Sequence, residues 1–358
     1  GFTITGGVGT KPYDLTVGGG VYIKSATPFQ PQVLLNMRNV VLTGNEAYYG
    51  GGIFVGQENT LVMSGCEVTD NTSHYGGGIF GYLFAKIHVQ NVFFRNNSAE
   101  LDGGAVCGER ATFNAADSDF VLNFAGVNGG AIAIEGYLSS IATESEVDQF
   151  PLGSAHRHPT YASVRQCTFE SNTALGQSPY PNNYWGGGAI FSESDSTEII
   201  GSSFTRNKGR FGGAILDALF SAQISDCIFV ENEAVEDGGA IYICEFVNSS
   251  FFLRNRAGGQ GGGVFGLFMC SAKSSTFTHN SATRGGGISL GSADSSSFFG
   301  NRATEFGGGL YGEGSWSRSV NSLFVGRSSK NSSAAMRPLP RTSPKCGWPP
   351  CAAVSRSS

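Results

Sequence analysis

Charge is scarce in this chain. Only 14% of its 358 residues are Asp, Glu, Lys or Arg, and they leave a net charge of −5 with no basic block. Nucleic acid is therefore not an expected partner. No run of 18 apolar residues occurs, so no membrane-spanning helix is expected. No Cys-x-x-Cys pair occurs, which argues against a zinc site built from cysteines. No stretch shows helical periodicity. The chain opens at Gly1, inside the strand-like run GFTIT, without an initiator Met or a leader. It reads as a mature or truncated piece whose targeting segment is missing.

What is abundant is glycine, at 53 residues, beside a hydrophobic content of 40% of which aromatics make up 12% of the chain. That is too much glycine for an average globular domain and too much apolar residue for general disorder. The glycines recur in pairs, each followed by an aliphatic residue: Val21, Ile53, Ile79, Val106, Ile132, Ile190, Ile215, Ile241, Val264, Ile288 and Leu310. Apart from a first step of 32 residues and one gap of 58, the spacing is 22 to 27. From the second unit onward an asparagine precedes each pair: Asn45, Asn71, Asn96, Asn123, Asn172, Asn207, Asn232, Asn255, Asn280 and Asn301. Three residues before it stands Phe93, Phe120, Phe169, Phe204, Phe229, Phe252, Phe277 or Phe298, with Leu42 and Val68 in the first two units. The unit is F-x-x-N-x-[AS], a spacer, then G-G-[AG]-[ILV].

A unit of this size, made of short β runs, cannot bury itself alone and must stack on its copies. Stacking explains the residue types. Strands in a parallel coil lie about 4.8 Å apart, so Phe meets Phe and Ile meets Ile. Asn tolerates a corner and its amide bonds along the stack, and glycines turn the chain where Cβ atoms would clash. The expected fold is all-β, a parallel β-helix of about eleven rungs and roughly 50 Å long. It spans 1–326. The long gap holds only one F-x-x-N unit, so its excess forms insertions near 137–162 and 176–185. The Ser, Pro and Arg-rich tail, 327–358, is expected to be disordered.

The pattern C-x-F-x-x-N-x-A…GGAI resembles the repeat of the chlamydial polymorphic outer membrane proteins and of related β-helix surface proteins. The opening GFTITGG is similar to a rung of the same group. The resemblance covers about 1–326 and implies a right-handed helix, secreted or cell-surface, with adhesion or matrix roles. Its implied partners are a polysaccharide or a host or matrix protein. Those membrane proteins end in a β-barrel, whereas this tail lacks an alternating apolar pattern.

Cys66, Cys167 and Cys227 share one position, two before the core aromatic, where other rungs carry Ser202, Ser250, Ser275 or Ser296. A small inward residue suits it. Cys244 and Cys270 fall on adjacent rungs and are the candidate disulfide. Asn71, Asn96, Asn248 and Asn331 begin N-x-[ST] sequons.

Strand alternation points the residue after each core aliphatic outward: Phe54, Phe80, Cys107, Ala133, Phe191, Leu216, Tyr242, Phe265, Ser289 and Tyr311. This stripe suits sugar rings or a partner, or else packing beneath covering loops. Two residues further come Glu109, Glu135 and Glu193 on consecutive rungs, with Glu313 later and Asp217 one residue out of phase. Stacked carboxylates raise one another's pKa unless a cation intervenes, and an all-oxygen set suits Ca²⁺. With Phe191 and the 137–162 insertion, which adds ESEVD at 144–148 and His156 and His158, they form the expected acidic cleft for a cation or a sugar chain. No cofactor beyond that cation is implied. The local motifs of pectin-cleaving enzymes are absent, as are G-x-S-x-G and a phosphate loop. The leading reading is a non-catalytic binder. The alternatives are a polysaccharide lyase or glycoside hydrolase using the outward acids, and a structural spacer.

Overall fold

The computed structural model describes residues 1–10, 15–24, 32–136, 159–177, 185–267, 269–313 and 317–325, together with the backbone of 334–337. Among these there is no helix. Short strands assemble into four parallel sheets, and from Glu67 to Val320 each turn of the chain visits them in order. Sheet 1 has 12 strands, from Thr3–Thr5 to Leu323–Val325. Sheet 2 has 9 short strands, from Thr72–Tyr75 to Arg302–Phe306. Sheet 3 has 12, starting at Val21–Ile23, and sheet 4 has 11, starting at Leu34–Arg38. This is the parallel β-helix that the repeat predicts, with about eleven rungs.

The stack is in register because every rung offers the same side chain at the same place. Phe94, Phe120, Phe169, Phe204, Phe229, Phe252, Phe277, Phe298 and Phe324 pair in sequence along sheet 1. Their ring centroids lie 4.5–4.9 Å apart and their planes within 3–7°. The strand spacing imposes this distance, and burial of each ring contributes about 1.5–3 kcal/mol.

At the next corner the asparagines form a buried amide ladder. Asn232 Nδ2 donates to Asn255 Oδ1 at 2.9 Å and to the Phe204 carbonyl at 2.9 Å, while its backbone N–H reaches the same Oδ1 at 3.0 Å. The left-handed conformation belongs to the residue before the asparagine, as at Glu231, Arg254 and His279. So Asn is required here for its amide and not for its backbone tolerance. A second ladder runs through the small-residue position. The Cys227 N–H meets Ser250 Oγ at 3.1 Å, and the Ser250 N–H meets Ser275 Oγ at 3.2 Å. Cys66, Cys167 and Cys227 are buried there as free thiols. The glycine pair divides its work. Gly238 has φ +73°, and a Cβ on Gly239 would lie 2.1 Å from the Gly262 carbonyl oxygen of the next rung.

One rung departs from the expected frame. In FFRNN the aromatic in the stack is Phe94, not Phe93, and the ladder amide is Asn97, not Asn96. Both frames satisfy F-x-x-N. The chosen one buries Val92 and Phe94, whereas the other would turn Arg95 into the apolar core. The tail also departs. Ala334–Arg337 pairs with Leu310–Glu313 as the last strand of sheet 3, so the β structure runs past 326. Most of the two expected insertions (137–158 and 178–184), His156, His158, Asn331 and the rest of the tail lie outside the described residues.

Candidate functional site

The aliphatic residue after each glycine pair faces the interior of the helix, and the next residue faces out. Outward is not exposed here. Phe54, Phe80, Phe191, Tyr242, Phe265 and Tyr311 are all buried in a second apolar layer outside sheet 3. Half-buried residues preceding the glycine pairs cover them. The Tyr49 ring lies 4.9 Å from that of Phe80, and the Phe211 ring 4.9 Å from that of Tyr242. Phe191 is therefore part of this layer and not a surface platform.

On the rungs of Glu109 and Glu135 the layer changes character. Asp102 and Asn128 stand where neighbouring rungs place Tyr75 or Phe211, and Cys107 and Ala133 replace the large stripe residues. Glu109 and Glu135 are register partners, and the Glu193 N–H donates to the Ile134 carbonyl, which sets it on the following strand. Glu109 is 1% exposed and Glu135 2%, so they line no open cleft; Glu193 is half-buried. The parity of the acids is as expected. Their expected exposure is overturned: Glu109 and Glu135 are buried beside the apolar layer outside sheet 3.

The interior chemistry is unusual. Asp102, 2% exposed, shares a hydrogen bond with the Glu135 side chain, and its Oδ1 also accepts the Asn128 N–H at 3.0 Å. Burial raises Asp102 to about 6, the bonds from Glu135 and Asn128 oppose the rise, and the charge of Glu193 adds to it. Glu109 has no such partner: both carboxyl oxygens are buried without a hydrogen bond. Burial lifts it to about 7 against the pull of Arg110. Burial, followed by Glu135, Asp102 and Glu109, pushes the Cys107 thiol well above its usual range. The Tyr75 phenol is raised by burial, then by Asp102 and Glu135.

The other acids are placed apart. Asp217 lies inside and caps a turn, accepting the Ser221 and Ala222 N–H groups at 2.6 and 2.7 Å. Burial raises it to about 6 against those bonds. Glu313 accepts the Tyr311 hydroxyl. Among the described residues no three His, Cys, Asp or Glu side chains gather as a metal ion requires. Cys244 and Cys270 are joined as a disulfide, with Cα atoms 5.0 Å apart.

Asp102 and Asn128 escaped the sequence reading. Their signal was the position just before the glycine pair, where aromatic residues elsewhere give way to an acid and an amide.

Three segments of this helix, 91–109, 166–193 and 295–313, match the Chlamydia polymorphic membrane protein repeat. Each carries a stacked Phe, a ladder Asn, a glycine pair and the core aliphatic that follows. This is a β-helix built from repeats that resemble those of the polymorphic membrane proteins. No curated protein and no solved structure matches the chain significantly. No helix among the described residues is long and apolar enough to cross a membrane.

Proposed function

We propose that this chain is a non-catalytic β-helix, secreted or displayed at a cell surface, that binds a glycan or a matrix protein. The observation that carries the reading is the burial of the acids. In a β-helix enzyme the carboxylates must meet substrate, yet Glu109 and Glu135 are 1% and 2% exposed. The other repeated residues are committed to ladders. The outside of sheet 1, whose side chains alternate between solvent and the phenylalanine stack, is one face open to a partner.

Incubation with a panel of polysaccharides tests this. Depletion of a polysaccharide without new reducing ends or unsaturated products is the expected result for a glycan partner. Products would overturn it in favour of a hydrolase or lyase. One observation favours that second reading: Asp102 and Glu135 are two acids buried on one face, as the paired carboxyls of acid–base catalysts are. In that case Glu135→Gln should abolish the products.

A further inference from the structure

The frame of the Phe94 rung alters the outer surface as well as the core. With Phe94 and Asn97 in the ladders, Phe93 and Asn96 are left on the outside of sheet 1. They line an open groove of about 580 Å³ with Glu67, Asp70, Arg95 and Leu122. The groove spans three rungs. Phe93 pairs in register with Glu67 on one side and Asp119 on the other. Along the adjoining corner run Asp70, Asn96 and Leu122, all in the left-handed conformation at φ 56°, 53° and 58°. Asn96 Nδ2 donates to Asp70 Oδ1 at 2.6 Å, which fixes both side chains. Phe93 is half-buried, and Glu67, Asp70, Arg95, Asn96 and Leu122 are exposed.

This is an aromatic face ringed by acceptors and donors. A protein side chain seeking burial would meet too many polar groups here, since interface cores are depleted of charge. A pyranose matches better. Its C–H face packs on the ring, its hydroxyls donate to Glu67 and Asp70, and they accept from Arg95. Two carboxylates in the lining (Glu67 and Asp70) against one guanidinium, with Asp119 in register beside Phe93, make the site acidic, which disfavours uronates and sulfated sugars. We propose that this groove is a carbohydrate subsite holding one neutral sugar ring against Phe93. The proposal rests on the glycan reading above and adds where the sugar sits and which charge class it has.

Calorimetry on the full chain tests it, with cellohexaose, N-acetylchitohexaose and hexagalacturonate as probes. At least one neutral hexasaccharide should bind the wild type more tightly than hexagalacturonate. Phe93→Ser should weaken it about tenfold, as loss of a stacking contact does. Arg95→Gln, which removes no buried group, should weaken it less and guards against a folding defect in the first variant; matching melting curves complete that control. If a hexasaccharide binds all three proteins equally, or hexagalacturonate binds best, the groove is overturned while the glycan reading stands. If no probe binds the wild type, the glycan reading falls with it.

Discussion

Glu109 has a carboxyl group that no hydrogen bond answers. Its oxygens are buried without a partner, and burial raises it to about 7. An unfolded glutamate titrates near about 4.3. The folded chain therefore binds this proton more tightly than the unfolded chain does. The stability that goes with it is fully present below about pH 4 and is lost as pH rises through about 7. Asp102 and Asp217, each raised to about 6 by burial, act in the same direction. The thermal midpoint should accordingly fall between pH 5 and pH 8. Glu109→Gln should raise the midpoint at pH 8, by an amount on the order of 2–3 kcal/mol in stability, and change it little at pH 5. A variant that melts as wild type at pH 8 would place the charge in contact with water. The outward direction of this side chain was legible from alternation. Its burial was not, because alternation gives the direction of a side chain and not what lies over it.

Among the elements, the strand Ala334–Arg337 is the one that composition hides. It sits in a segment rich in Ser, Pro and Arg, yet it pairs residue by residue with Leu310–Glu313. A strand of four residues needs no repeat signature when a ready edge supplies its hydrogen bonds. Each such bond is worth about 1 kcal/mol net. A chain ended after 325 should melt several degrees below a chain ended after 340, while both unfold cooperatively. Identical melting curves would mean that the strand adds nothing to the stack. The frame of FFRNN illustrates the same limit. Two readings are equal in local pattern, and the cost of burying Arg95 separates them.

Across the whole molecule each rung touches only its neighbours, so stability is close to a sum over rungs and their interfaces. One rung is then removable if the cut respects register. Deleting Lys208–Asn232, 25 residues, joins Asn207 to Glu233, which already pairs with Lys208 across the stack. The shortened chain should keep a β-type circular dichroism spectrum and a single cooperative transition. A deletion of 24 residues at the same place should lower the thermal midpoint, because it leaves one extra residue at the asparagine corner, where the sheet 2 strand starts directly after the ladder amide, and the local slip turns that strand's core residue away from the stack. Equal behaviour of the two would contradict a stack held by register.

The architecture was written in the sequence because a stack repeats its instructions. Phe, Asn, Gly-Gly and the aliphatic residue return at a fixed phase, and each return is the same physical demand for a ring, an amide or a missing Cβ. The repeat also placed Glu109, Glu135 and Glu193 on consecutive rungs and on one face. Only the tertiary structure decided whether that face meets water. Burial depends on the chain that crosses over a strand, and here the aromatic residues before the glycine pairs cover the stripe beside the acids. It likewise decided that Phe93 and Asn96 stand outside while Phe94 and Asn97 stand within. Sequence spacing specifies neighbours along the strand, whereas inside and outside follow from the free energy of burying the whole rung.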